Sequence, residues 1–461
     1  MIRTITVVSI YCLFGIIISL NANGQELRRR GSLGVQFSFI NDSIAKADGY
    51  TTTFGMRVKK VFEGTTTDLA GVKAGDILYQ INELKLVSNA SFHDPKFEIR
   101  EGDPVSLMVE RAGKTKKLTG KVVGRRLETS DQWDIIYGSV NFEGGKLRTI
   151  ITKPKGDGKF PTILFIPGFT CMSIDNLNQL HPYRKIVDQL TSLGYAVYRV
   201  EKPGMGDCEG TQPCDQIDFK TEVAAFETGF TDMITKDFVD TSKTHIFGHS
   251  LGGIVAPFIS SKHDLTGVIV YGTSHEPWHE YLMQMVRFQN PRFGDDYVKT
   301  ESEMDLYWRL FDGLNRQNKS PLVLVAEDPE FGPLMKTALF WDGKDHLLGR
   351  HYRFNNSIDD LNATEAWANT SEHVLAMYAE ADFEAIDPRA TKNIVRIVNS
   401  YHPGKGTYQF VPETDHGMIK SGSMEETLKI RGTPAYRKLF ATGFNTDIAI
   451  MIDKWIKEKT W

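Results

Sequence analysis

Cysteine is scarce in this chain: four in 461 residues, and the first, Cys12, lies inside an N-terminal apolar run. Cys171, Cys208 and Cys214 have no metal-ligand spacing, which argues against a zinc-stapled framework. Their odd number leaves one thiol over if a disulfide forms, and two pairings stay open, Cys208 with Cys214 or Cys171 with Cys214. An excess of one charge sign is also missing. A formal net charge of −4 offers nothing for nucleic acid to hold. Internal repeats and low-complexity tracts are absent, so neither a solenoid nor a long disordered linker is expected. What remains is ordinary: 41% hydrophobic and 24% charged residues, the composition of a globular protein long enough for two or three domains.

The N-terminus is different in kind. Met1-Ile2-Arg3 is a short basic start, and Ile5 to Leu20 is apolar apart from Thr6, Ser9, Tyr11, Gly15 and Ser19. Ala22-Asn23-Gly24 then puts small residues before a cut at Gln25. This is the pattern of a secretory signal peptide over residues 1–24, too short to stay as an anchor, and no L-x-x-C lies near the cut to mark a lipoprotein. Export to a bacterial periplasm is expected, with no stable membrane span once the signal is removed. Arg28-Arg29-Arg30 follows at once and reads as solvated charge near a mature N-terminus.

Residues 31–126 read as a first domain. Gly31-Ser32-Leu33-Gly34-Val35-Gln36-Phe37 opens it, Met56 to Phe62 is an apolar strand, and Val105 to Arg111 alternates as a strand turning at Ala112-Gly113-Lys114. Between them Ala70-Gly71-Val72-Lys73-Ala74-Gly75-Asp76-Ile77 leads to Ile81-Asn82. This A-G-x-x-x-G-D-I-x-x-x-I-N pattern resembles a PDZ domain over its whole length. The resemblance implies that an extended peptide adds to a sheet edge and that backbone N–H groups of Leu33, Gly34 and Val35 hold its terminal carboxylate. A purely structural or dimerising unit is the alternative. Residues 125–132 are charged and polar and read as a linker, so the first domain is expected to be separable.

From Trp133 to the C-terminus, strands alternate with helices. Asp134 to Phe142 and Lys146 to Lys153 read as a hairpin. Thr162–Ile166, Ala196–Val200, Thr244–Phe247, Gly267–Tyr271, His373–Tyr378 and Thr407–Val411 read as short strands. Tyr183–Leu193, Phe219–Ile234 and Pro388–Ser400 read as helices between them, and Ala435–Lys459 has helical stretches. The predicted class is α/β, a mostly parallel sheet covered on both faces.

Thr244 to Gly253 carries the chemistry. A strand runs into Gly248-His249-Ser250-Leu251-Gly252, a G-x-S-x-G turn, and a helix begins at once. A Ser held at strained φ/ψ between a strand and a helix, with glycines where the two backbones meet, is a nucleophile elbow. With the elbow on a middle strand, residues 133–461 resemble the α/β-hydrolase family. The family order of Ser, acid, His then implies Ser250 as nucleophile and His416, in Asp415-His416-Gly417 past the last strand, as base. Two carboxylates, Glu380 and Asp382, follow the penultimate strand, and Asp382 matches the family position better. The resemblance also implies an oxyanion hole from the N–H groups of Leu251 and Phe169, with Pro167 where the family often has His, and a cap insertion over about 275–365. The Glu201–Asp207 loop is read as lining the site. The aromatic residues of the cap are expected mostly to form its own core.

One motif competes. His275-Glu276-Pro277-Trp278-His279 is a literal H-E-x-x-H, but Pro277 makes the two His straddle a helix start, and no third ligand follows at a familiar spacing. No metal and no cofactor are expected. The reading is an exported serine hydrolase that cleaves a carboxylic ester, with no nucleic-acid partner. The alternatives are a peptidase acting on a polypeptide C-terminus held by the PDZ domain, and a PDZ-based binding protein whose hydrolase domain is idle.

Overall fold

The structure is a computed structural model that describes residues 27–88, 91 and 97–461; the signal peptide expected over residues 1–24 lies outside the described residues. The N-terminal unit is an antiparallel sheet in which Val35–Ile40, Gly55–Val61, Ile77–Ile81, Pro104–Arg111 and Lys114–Lys121 are neighbours in that order. Alternation puts Met56, Val58, Leu78, Ile81, Leu107 and Val109 on one side, where they form a buried core. The A-G-x-x-x-G-D pattern has a local cause. Gly71 and Gly75 sit at φ +85° and +92°, where a side chain would be strained. They bring round Asp76, which accepts both guanidinium bonds of Arg111 at 2.7 Å and the Lys73 N–H at 2.8 Å.

The second sheet has eight strands: β1 Trp133–Phe142, β2 Gly145–Pro154, β3 Phe160–Ile166, β4 Ala196–Val200, β5 Val239–His249, β6 Gly267–Tyr271, β7 His373–Ala381 and β8 Gly406–Asp415. Their spatial order is β1-β2-β4-β3-β5-β6-β7-β8. The β1–β2 hairpin and the β2–β4 pairing are antiparallel, and from β4 to β8 every pairing is parallel. Parallel strands are buried on both faces, which is why β4 and β6 are apolar almost throughout. Helices Pro182–Ser192 and Asp447–Lys459 cover one face through Ile186, Leu190, Ile448 and Ile452. Phe219–Met233, Leu251–Ser260 and Arg389–Tyr401 cover the other through Phe226, Val255 and Ile394.

Between β6 and β7 the chain builds a helical cap with a core of its own, including Leu310, Phe311, Leu324, Phe331 and Met335. Cys171 is bonded to Cys214, and Cys208 is a buried free thiol. Among the described residues no helix is long and apolar enough to cross a membrane.

The segment expected to be solvated is not. Arg29 is buried, with one guanidinium nitrogen 2.5 Å from both Asp175 and Asp207. Its remaining N–H groups donate to the carbonyls of Arg125 and Arg126. Arg100, from the first unit, donates to the carbonyls of Asp207 and Cys208. Glu128, inside the expected linker, is buried between Arg184 and Arg199 at 2.8 Å each. A run of three arginines reads as surface because sequence does not reveal that two carboxylates about 150 and 180 positions downstream wait for one of them. Buried charges persist only when paired in this way.

Candidate active site

β5 ends at His249 and the helix starts at Leu251, so Ser250 alone makes the turn, at φ +55° and ψ −125°. That region is costly for any residue but Gly, and it is sustained only where the surroundings dictate it. The glycines show why nothing larger fits: a Cβ on Gly248 would lie 2.3 Å from the Gly252 carbonyl, and one on Gly252 would lie 2.2 Å from the Ile166 carbonyl. The second contact presses the elbow against the end of β3 and the loop that follows it. A Cβ on Gly168 would sit 3.0 Å from the Cβ of Ser250. The Leu251 N–H, at the first position of the helix, and the Phe169 N–H donate to nothing among the described residues. Both candidate donors are thus unoccupied beside the serine.

His416 follows β8 and Asp382 follows β7, on adjacent parallel strands. Both carboxylate oxygens of Asp382 lie 3.0 Å from His416 Nδ1. Asp382 also accepts the N–H groups of Glu384 and Ala385 at 2.9 and 2.7 Å. Burial alone would raise its pKa, but the charge on His416 and these bonds hold it below the ordinary carboxylate value. Glu380, the other candidate acid, instead accepts the Glu413 N–H.

The far side of His416 holds a residue the sequence reading missed. Glu384 places a carboxylate oxygen 3.1 Å from His416 Nε2. Burial pulls the imidazole pKa down, yet Asp382 and Glu384 together raise it to about 10. Among the described residues the Ser250 hydroxyl makes no hydrogen bond. Only the acid-rich run from Glu380 to Glu384 could have drawn attention to this position.

His249 is a second omission. Burial lowers its pKa to about 3, helped by the neighbouring His416, so the ring is neutral. Its Nε2 lies 2.8 Å from the His416 carbonyl, which can only accept, so Nε2 carries the proton. Nδ1 then accepts the Tyr183 hydroxyl at 2.8 Å, and the Tyr183 oxygen accepts the Gly168 N–H at 3.1 Å. The pentapeptide histidine therefore ties the loop after β3 to the loop carrying His416.

That first loop is also held by buried cations. Lys202 donates to the Gly168 carbonyl at 2.5 Å, and Arg350, from the cap, donates to the Phe169 carbonyl. Both pair with the buried Glu222 at 2.8 Å. The Cys171–Cys214 bond fixes the loop two residues farther on. The Glu201–Asp207 loop thus bears on the site through Lys202.

The H-E-x-x-H residues are placed elsewhere in chemistry. His275 pairs with Glu276, His279 Nδ1 lies 3.2 Å from Asp359, and the helix starts at Trp278. Glu276 is brought down to about 2 against its burial by His275 and Ser274. Among the described residues no cluster of three potential ligands forms. In the N-terminal unit, Leu33, Gly34 and Val35 lead into an edge strand that pairs only with Gly55–Val61 among the described residues. Gly34 has φ +73°, and a Cβ there would lie 2.2 Å from Thr65.

Comparison with known proteins follows the same division. Residues 163–427 match the sequence model of the alpha/beta hydrolase family, and residues 31–122 match that of the PDZ domain. Esterase EstD of Thermotoga maritima is 26% identical over 191 residues, 41% of this chain and 43% of that protein. A probable periplasmic serine protease (do/HhoA-like) of Haemophilus influenzae is 32% identical over 94 residues, 20% of each. The chain spans less than half the length of either relative. A solved acylaminoacyl peptidase of Pyrococcus horikoshii superposes with a TM-score of 0.46 at 11% identity, over 92% of this chain and 54% of that one. With its family match covering more than half its length, the chain belongs to the alpha/beta hydrolase family, and a PDZ domain precedes the hydrolase fold.

Proposed function

We propose that this enzyme cleaves a carboxylic ester through an acyl-enzyme formed on Ser250. Ser250 Oγ attacks the carbonyl carbon while its proton passes to His416 Nε2. The oxyanion that forms accepts the N–H groups of Leu251 and Phe169, and His416 returns the proton to the leaving alkoxide. Water then repeats the sequence and frees the acid. Asp382 holds His416 in the tautomer with Nδ1–H and stabilises the imidazolium. The observation that carries this reading is the strained Ser250 turn, set beside two unoccupied N–H donors. An ester is placed first because G-H-S-L-G-G is commoner in esterases of this fold, and the esterase relative agrees with it. Residues 133–461 form the catalytic unit, with the cap at about 275–365. Residues 31–126 are its PDZ partner.

A peptide bond is the second reading. The open edge strand beside Gly34 favours it, since a polypeptide C-terminus could add there, and the protease relative is consistent with it. Export to the periplasm is part of the proposal, supported by the N-terminal pattern and by a disulfide that an oxidising compartment preserves. Ser250→Ala should abolish labelling by a fluorophosphonate. Labelling that survives, or that maps to another residue, overturns the nucleophile. A panel of short- and long-chain p-nitrophenyl esters beside aminoacyl nitroanilides separates ester from peptide cleavage.

A further inference from the structure

We infer that Glu384 is a latch on the catalytic base: its carboxylate occupies the ring nitrogen of His416 that Ser250 needs, and it must leave before acylation begins. This rests on the proposed roles of Ser250 and His416 and adds a residue to them.

His416 stands between two carboxylates, Asp382 on Nδ1 at 3.0 Å and Glu384 on Nε2 at 3.1 Å. A ring with an anion at each nitrogen is held as the imidazolium, because a neutral ring could donate to only one of them. An imidazolium has no lone pair and cannot accept the serine proton. The Ser250 hydroxyl is correspondingly without a partner among the described residues.

The other groups around the ring do not undo this. From the elbow, His249 is neutral and donates to the His416 carbonyl. On the ring's own loop, Asp415 accepts the Tyr436 hydroxyl, while its carbonyl accepts that of Tyr271. From the helix at 182, Tyr183 is engaged with His249, and His181 is kept below its ordinary pKa by burial. From the cap, Tyr281 donates to the Glu384 carbonyl and Glu276 is paired with His275. The Arg431 guanidinium is stacked on Phe293 and Phe383.

Glu384 differs from Asp382 in freedom. Asp382 is fully buried and fixed by two backbone N–H groups. The Glu384 side chain is 43% exposed, and no hydrogen bond to its carboxylate is found among the described residues beyond the pair with His416. It can swing into solvent. The proton on Nε2 then passes to water, the ring becomes neutral with its lone pair toward Ser250, and the serine proton fills that site as Oγ attacks. Nε2 is also the atom that protonates the leaving group. Glu384 therefore stands on the leaving-group side, where it repels an anionic leaving group and is drawn off by a cationic one.

The test reads the rate of fluorophosphonate labelling of the full chain against pH, which needs no knowledge of the natural substrate. Glu384→Gln should move the acid limb of the labelling rate down by about one pH unit or more, a gain of roughly tenfold at a pH below the limb. Glu384→Asp, one methylene shorter, should fall between. A probe with a cationic thiocholine leaving group should label the wild type faster than its neutral isostere, and that preference should vanish in Glu384→Gln. An unshifted limb overturns the latch, as does slower labelling of Glu384→Gln at an unchanged melting temperature. If the wild type is not labelled at Ser250 at all, the nucleophile reading itself has failed, which is a different result.

Discussion

Asp382 and Glu380 lie two positions apart on one strand end, and their surroundings divide them. Asp382 turns inward to His416 Nδ1, while Glu380 caps the Glu413 N–H. Asp382→Asn should lower kcat by about 10⁴-fold, as expected when the acid no longer holds the imidazole tautomer, and Glu380→Gln should change it little. The reverse ranking, measured with one activated ester, would make Glu380 the acid. The sequence offered both carboxylates after the penultimate strand and preferred Asp382 only through the family resemblance; the structure sets that residue against His416. Glu384 was not legible. It follows in the same acid-rich run, and only the turn after β7, closed by N–H bonds onto Asp382, brings it round to the opposite ring nitrogen.

At the scale of elements, the elbow is where pattern and packing coincide. The Gly252 position faces the Ile166 carbonyl so closely that Gly252→Ala must push β3 and the helix at 251 apart. Overpacking of this kind costs about 1–3 kcal/mol. The melting temperature should fall, and the labelling rate of Ser250 should fall further, because the Phe169 loop moves with β3. An unchanged rate would separate that loop from the elbow. The short strands were readable because apolar runs buried on both faces tolerate little else, and β4 and β6 begin and end where the sequence placed them. β5 begins at Val239, five residues earlier than the strand read from Thr244; the stretch between, Asp-Thr-Ser-Lys, is polar and carries no strand signal. Arg350 was unreadable for another reason. It reaches the Phe169 carbonyl from 181 positions away, and no local pattern records a contact of that range.

The whole molecule departs from two domains on a string. A chain starting near Glu128 was expected to fold and hydrolyse small esters, since no proposed catalytic residue precedes 133. In the structure that cut would remove Arg29 and Arg100 and leave Asp175 without its cation and Asp207 with Arg148 alone. Removing one partner of a buried pair typically costs about 3–5 kcal/mol. The truncated chain should therefore melt well below the full chain and lose ester hydrolysis with it, and Arg29→Met should reproduce part of the loss. A truncated chain with an unchanged melting temperature and full labelling of Ser250 would restore the separable picture.

The burial of Arg29 also bears on the order in which the chain is finished. Its two carboxylates lie 146 and 178 positions later, so during synthesis this residue emerges long before anything can neutralise it. The PDZ core, complete by Val122, can close while the hydrolase sheet is still unmade. The backbone from Arg28 to Arg30 can pair with residues 100–125 as that core closes, but the Arg29 guanidinium meets both its carboxylates only once Asp207 has followed. Long-range closures of this kind are slow steps in folding. In this protein the Arg29 side chain is a clasp that can shut only after the start of the second unit has been made.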